Sequence, residues 1–347
     1  MNLDSFSSTY PGLRLLVKHL IHEAVNIEAQ NQDVNGSVRP ILDAIHRAQP
    51  QIITTREIPV KLDVNSTQIS YVSAIALFLE KSWNQPATEI AQKLTAALVQ
   101  TAKSNNFEAQ FPSFQLVWKS FSFEANSAGW ITLKLADQGL AKWLEILIYL
   151  FQDLKNLPQD LRNLPNETNN GETNPPIYLR SSTDLPYSIS RITHDKYIPR
   201  NSTDILLAQH VHARCCSLLR LGMQEDLIQL SVFSRGQSIV DPLPWLREDA
   251  SLRCQHPSER QLMRQICQSV DEISLVSNFS EPERTLKQAR GLSQAFCRFY
   301  ADCLIFSEVK VTNPALSQVR LGLIDVVRSL LHLLLEDGLG ILAPSEL

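Results

Sequence analysis

His212 and Cys216 lie four residues apart, a spacing that brings two side chains to one face of a helix, and His210 and Cys215 sit beside them. Imidazole and thiolate are zinc ligands. A metal centre, however, needs ligands that converge, and two pairs on adjacent faces of one helix diverge. These side chains are read as satisfied or core residues, as are Cys254 and His256, and no metal is expected. No serine stands in a Gly-x-Ser-x-Gly elbow. The acidic pairs Glu248-Asp249 and Asp271-Glu272 are sequence neighbours, so a helix points them apart and they cannot share a reacting atom. There is no Gly-rich loop of the kind that cradles phosphates; Gly338-Leu339-Gly340 reads as a helix stop. No catalytic residue and no cofactor follow from these residues. What remains is recognition. From residue 203 onward the only lysines are Lys287 and Lys310, and the other cations are arginines. Arginine forks match phosphates and stack on bases. The plainer reading pairs Arg260, Arg264, Arg284 and Arg290 with Glu259, Asp271, Glu281 and Glu283.

Such groups need elements to position them, and the chain is long enough for two domains. It has 347 residues, 44% hydrophobic and 20% charged, an ordinary globular balance. A net charge of -4 gives no general attraction to nucleic acid or anionic lipid, so an RNA-binding surface would have to be a local patch. The start, MNLDSFSSTYPG, has neither a basic nor an apolar run and does not read as a signal peptide. The apolar stretches Leu144–Phe151 and Leu330–Leu335 fall far short of the ~20 residues of a membrane span and read as buried helix faces. All six cysteines lie in the second half with no C-x-x-C pair. Reduced thiols in a cytoplasmic protein are expected.

Residues 11–29 carry apolar side chains at helical spacing. Residues 57–64 alternate as a strand. A helix is expected over 69–80, a break at Asn84-Gln85-Pro86, and a second helix to Lys103. Asn126–Gly129 is a turn, and residues 130–135 alternate as a second sheet edge. Asp137 is expected to cap a helix bearing Leu140, Trp143, Leu144, Leu147, Ile148 and Phe151. Residues 155–202 are rich in proline and read as a linker. Beyond it the pattern is helical: about 204–221, stopped by Gly222, then 257–275, 282–306 and 314–337. The fold class expected is an α+β domain over 1–154 followed by an all-α bundle over 203–347.

Particular residues carry a resemblance. Gln209-His210-Val211-His212-Ala213-Arg214 resembles the Gln-Tyr-Ala-His-Ala-Arg helix that opens the C-terminal domain of arginyl-tRNA synthetases, with His210 where tyrosine is usual. Ala295-Phe296-Cys297-Arg298-Phe299-Tyr300-Ala301-Asp302-Cys303 is similar to a second block of that family, and Arg320-Leu321-Gly322-Leu323-Ile324-Asp325 to a third. The ending Leu339-Gly340-Ile341-Leu342-Ala343-Pro344 is similar to a fourth. Together they resemble the DALR-type anticodon-binding domain. Gly129–Leu135 resembles a strand of the same family's N-terminal domain, which touches the tRNA elbow. Trp130 keeps the aromatic of that strand, and Thr132 stands in place of its amide.

The resemblance implies a tRNA or other structured RNA as partner. Its candidate contacts are Gln209, His210, Arg214, Pro344 and Leu347 at the anticodon end, and Trp130 and Thr132 at the elbow. The family's catalytic domain lies between these two parts, and here only residues 155–202 do, with no His-Ile-Gly-His signature. The chain is therefore expected to be a pseudoenzyme, a non-catalytic paralogue of the synthetase. Two alternatives stand beside RNA binding: a repurposed module with a protein partner, and one piece of a split arginine–tRNA ligase. Neither DNA nor a membrane is expected as a partner.

Overall fold

The computed structural model describes residues 12–34, 58–64, 66, 68–103, 114–151, 203–233, 236–275 and 281–346. Two compact units divide the chain between Leu140 and Ala141. The segment 155–202, expected as a linker, lies outside the described residues, as does Leu347.

The first unit pairs a four-stranded antiparallel sheet with helices. Helix α1 spans Leu13–Val34, α2 Ile75–Trp83, α3 Ala87–Lys103 and α4 Gln115–Lys119. The strands are β1 (Val60–Leu62), β2 (Ser70–Ser73), β3 (Phe121–Ala125) and β4 (Ile131–Leu135), in the order β1-β2-β4-β3. Helix α3 is the hub, packing on α1, α2, α4 and β3. Its Ile90, Ala91, Leu94, Ala97 and Leu98 recur at helical spacing and are all buried. Asn84 caps the C-terminal end of α2 in the left-handed conformation, and Pro86 directly precedes α3. Gly129, at φ 79°, closes the turn into β4 where a side chain would be strained.

Two expectations fail here. Residues 70–73 are a strand, and the helix begins only at Ile75. Ile69, Tyr71, Ser73 and Ile75 alternate, and that period-2 signal was overridden by the helical spacing that follows. Strand β4 is also no edge: it lies between β2 and β3. A helix, α5, runs from Asp137 to Phe151, and its Leu140, Trp143, Leu144, Leu147 and Phe151 are buried.

The second unit contains α6 (Thr203–Gln224), α7 (Pro257–Leu275), α8 (Pro282–Asp302), the short α9 (Glu308–Thr312) and α10 (Pro314–His332), which continues as a π-helical turn over Leu333–Gly338. Helix α10 is central, packing on α6, α7, α8 and α9, and every residue from Val319 to Leu331 is buried. A helix buried all round must neutralise any charge it carries. Arg320 Nε donates to Glu259 Oε1 at 2.7 Å, and Glu259 Oε2 accepts from the His256 backbone N–H at 2.8 Å, at the start of α7. Arg320 also reaches the Leu304 carbonyl beyond α8. Asp325 accepts from Arg328 at 3.0 and 3.1 Å, from Ser238 Oγ at 2.7 Å and from the Ile239 backbone N–H at 2.9 Å. Gly322 lies where an added Cβ would come within 2.9 Å of the Trp245 ring and 2.3 Å of Leu243. The Arg320–Asp325 block is thus a structural joint within the unit.

The unit is not purely helical. Strands β5 (Leu230–Phe233) and β6 (Gly236–Ile239) form a hairpin that the sequence reading missed, and the bond to Asp325 holds its end against α10. Nor does Gly222 stop α6, which continues to Gln224. Its role is steric: a Cβ there would lie 2.7 Å from Leu321 and 3.2 Å from Ile228. No described helix is long and apolar enough to cross a membrane.

Candidate nucleic-acid interface

Helix α6 carries Gln209, His210, His212 and Arg214, and the structure sends them to two different tasks. One set holds the chain's last described segment. Gln209 Nε2 donates to the Leu342 carbonyl at 2.8 Å. His212 Nδ1 lies 2.8 Å from the Pro344 carbonyl. Arg220 reaches the Ser345 carbonyl at 3.4 Å and the Glu346 carboxylate at 3.4 Å. Glu336 Oε1 accepts from the Ala343 backbone N–H at 3.2 Å. Residues 342–346 therefore lie as a strap along α6. Gln209 and Pro344, both expected at an RNA surface, are two of the strap's contacts, and both are half-buried.

His212 is 3% exposed. A carbonyl only accepts, so the neutral ring carries its proton on Nδ1. Nε2 is then a buried lone pair, and it has no hydrogen-bond partner among the described residues. The ring lies 5.9 Å from that of His332. Burial lowers its pKa to about 4, the Arg328 and His332 charges push the same way, and the bond to Pro344 opposes them. Cys216 Sγ sits 3.9 Å from Nδ1, the contact that the sequence spacing foreshadowed. Among the described residues no group of three or more His, Cys, Asp or Glu side chains is placed to hold a metal. All six cysteines are free. Burial holds the Cys215, Cys254 and Cys267 thiols well above their ordinary pKa, which disfavours the thiolate.

The other set faces outward. His210 and Arg214, one turn apart, are both exposed. The Arg214 guanidinium lies 5.0 Å from the Tyr300 ring centroid and donates to its hydroxyl. Tyr300 is 38% exposed, and its ring is nearly parallel to that of the buried Phe296 on the same helix, 5.9 Å away. The result is a firmly seated, part-exposed aromatic with a guanidinium over its ring. Tyr300 was not among the residues singled out. The signal was its place in the Phe-Tyr block, but nothing local tied it to Arg214, 86 positions away.

The arginine pairings expected from sequence hold only in part. Arg284 pairs with Glu281 at 2.7 Å as expected. Arg290 instead lies 3.6 Å from Asp204, and Glu259 is taken by Arg320.

In the first unit, Ile131, Leu133 and Leu135 of β4 are buried, and Thr132 and Lys134 alternate with them on the opposite face. Trp130 enters that strand 39% exposed, its backbone N–H held by Asn126 Oδ1 at 2.9 Å. Lys134 is bridged to Glu124 at 2.7 Å.

Residues 208–347 match the family described as DALR anticodon binding domain. Among curated proteins, the arginine–tRNA ligase of Synechococcus sp. (strain JA-3-3Ab) is 28% identical over 143 residues, covering 41% of this chain and 22% of the ligase. That of Gloeobacter violaceus is 30% identical over 128 residues, covering 37% and 20%. That of Heliobacterium modesticaldum is 29% identical over 147 residues, covering 41% and 23%. The matched part thus spans about a fifth of these relatives' length. No solved structure matches the chain. The second unit therefore contains, over residues 208–347, a DALR anticodon-binding domain related in sequence to arginine–tRNA ligases.

Proposed function

We propose that this chain is a non-catalytic, cytoplasmic tRNA-binding protein that grips RNA through the outward face of α6 and α8. The observation that carries the reading is the Arg214–Tyr300 pair with His210 one turn away, in a domain of anticodon-binding type. A base splayed out of an anticodon loop stacks on Tyr300 or His210, and Arg214 meets the adjoining phosphate or base edge. In this reading residues 1–154 act as the elbow-type domain, with Trp130 and Thr132 turned outward, 155–202 as a linker and 203–347 as the anticodon-end domain.

Titration of unfractionated tRNA at two salt concentrations tests the proposal. Stacking is worth ~1–3 kcal/mol per base, so Tyr300→Ala and His210→Ala are each expected to weaken binding by about 5- to 150-fold. If wild type binds and neither variant differs, the contact surface lies elsewhere. If wild type shows no binding even at low salt, the RNA reading fails. A protein partner then takes its place, a reading favoured by one observation: Gln209 and Pro344 are already committed to the strap.

The non-catalytic part of the reading rests on chemistry. Adenylation requires ATP and arginine held in line, an arrangement worth ~7–11 kcal/mol of the barrier. The sequence offers no His-Ile-Gly-His motif or phosphate loop to build that pocket. The purified chain is expected to show no arginine-dependent ATP–pyrophosphate exchange, with or without tRNA. Exchange above background in a preparation free of host synthetase would restore the ligase reading.

A further inference from the structure

A chain of net charge -4 binds RNA only where charge is locally reversed, and the outward arc of α8 is such a place. At 100° per residue, Glu283, Arg284, Lys287, Arg290, Gln294, Arg298 and Asp302 fall on one arc, and all seven are exposed. The arc holds four cations against two carboxylates, Glu283 and Asp302, the second of which accepts a hydrogen bond from Ser258 Oγ. Its flanks are fixed by contacts: Arg290 and Tyr300 face α6 through Asp204 and Arg214, and Gln288 faces α7 through Ser269. Among the described residues, no carboxylate lies within ion-pairing distance of Lys287 or Arg298. Among the described residues, Arg284 pairs with Glu281 at the surface and Arg290 with the half-buried Asp204 at 3.6 Å, and such solvent-accessible pairs contribute little and exchange for a phosphate. From Lys287 to Arg298 the ridge runs about 16 Å at 1.5 Å per residue, and it continues toward the turn that carries Tyr300.

We propose that the outward ridge of α8, carried by Arg284, Lys287, Arg290 and Arg298, is the track for the sugar-phosphate backbone of the RNA strand whose unstacked base rests at Tyr300. The inference builds on the RNA-binding reading and adds to it which helix follows the backbone. The ridge supplies charge without a base-reading pocket, so it contributes affinity and register and no sequence preference.

The test is the salt dependence of binding, measured with unfractionated tRNA and with a single-stranded oligoribonucleotide. Wild type is compared with the double variant Lys287→Gln, Arg298→Gln. Each phosphate contact adds about 0.7 to the slope of log affinity against log salt for a single strand. Losing two lowers the slope by about 1.4, so between roughly 50 and 200 mM salt wild type loses about sevenfold more affinity than the variant. The loss is expected to be uniform across RNA sequences, whereas Tyr300→Ala leaves the slope unchanged. An unaltered slope in the double variant, with wild type binding normally, overturns the track and leaves the RNA reading standing. No wild-type binding at low salt overturns both.

Discussion

Replacing Asp325 by alanine is expected to destabilise the second unit by about 3–5 kcal/mol. The carboxylate is 1% exposed and accepts four hydrogen bonds, two from Arg328, one from Ser238 and one from the Ile239 backbone. Its loss leaves the Arg328 guanidinium, 4% exposed, without this buried carboxylate, and the bond to Ser329 Oγ that remains carries no countercharge. It also frees the end of the β5–β6 hairpin, whose Ile239 amide then lacks its acceptor. Asp325→Asn keeps an acceptor and the shape, and should cost less. In thermal unfolding the alanine variant should fall on the order of 10 °C below wild type. Amide exchange at Ile239 should quicken by more than exchange in α7. A drop of less than about 3 °C would mean that Arg328 finds another partner and that Asp325 is not the joint between hairpin and helix.

The second large effect is acid destabilisation through His212. Its folded pKa, about 4, lies below the ordinary 6.5 of the unfolded chain. Above pH 6.5 the ring is neutral in both states, and stability is at its full value. As pH falls from 6.5 towards 4 the unfolded chain takes up a proton that the folded chain refuses, so stability declines; below 4 the decline from this group ends. The total is roughly 3 kcal/mol at 1.36 kcal/mol per pKa unit. The charged and titratable groups around the ring are Arg328 and His332 on α10, Cys216 on α6 and Glu336 on the π turn, which lies 3.5 Å from His332. His212→Asn keeps an N–H for the Pro344 carbonyl and has no proton to gain. Its stability should therefore vary less with pH than wild type between 6.5 and 4. His19, lowered to about 4 by burial in the first unit, is common to both proteins and cancels in the comparison. Parallel profiles for the two would show that the buried ring is not what acid attacks.

The sequence revealed what is local. Helices α7 and α8 begin at Pro257 and Pro282, where proline suits a first turn, and their apolar positions recur at helical spacing. The extent of α10 and the turn before β4 were equally plain. Two kinds of feature were not. Where a segment is short, two periods fit at once: Ile69 to Leu79 satisfies a strand and a helix, and the sheet decides. Where a feature depends on partners far along the chain, no local pattern carries it. The pairing of β4 with both β2 and β3, the bond of Arg320 to Glu259 and the contact of Arg214 with Tyr300 are of this kind. The same limit divided the candidate site. The residue types on α6 were legible, but which of them face outward depends on a segment more than a hundred residues later. Gly222 shows the converse: its type was noticed, but it answers to Leu321 and not to the end of its own helix.

The strap over α6 also sets a timetable. Gln209 and the Leu342 carbonyl it binds are 133 positions apart. A ribosome adding about 5–20 residues per second needs on the order of ten seconds to cover that distance. During that interval α6 has emerged, but the segment that covers Gln209, His212 and Arg220 has not yet been made. The donors that will meet the carbonyls of residues 342–345 then face water or whatever the nascent chain encounters. Closure of the second unit therefore cannot precede synthesis of residues 342–345.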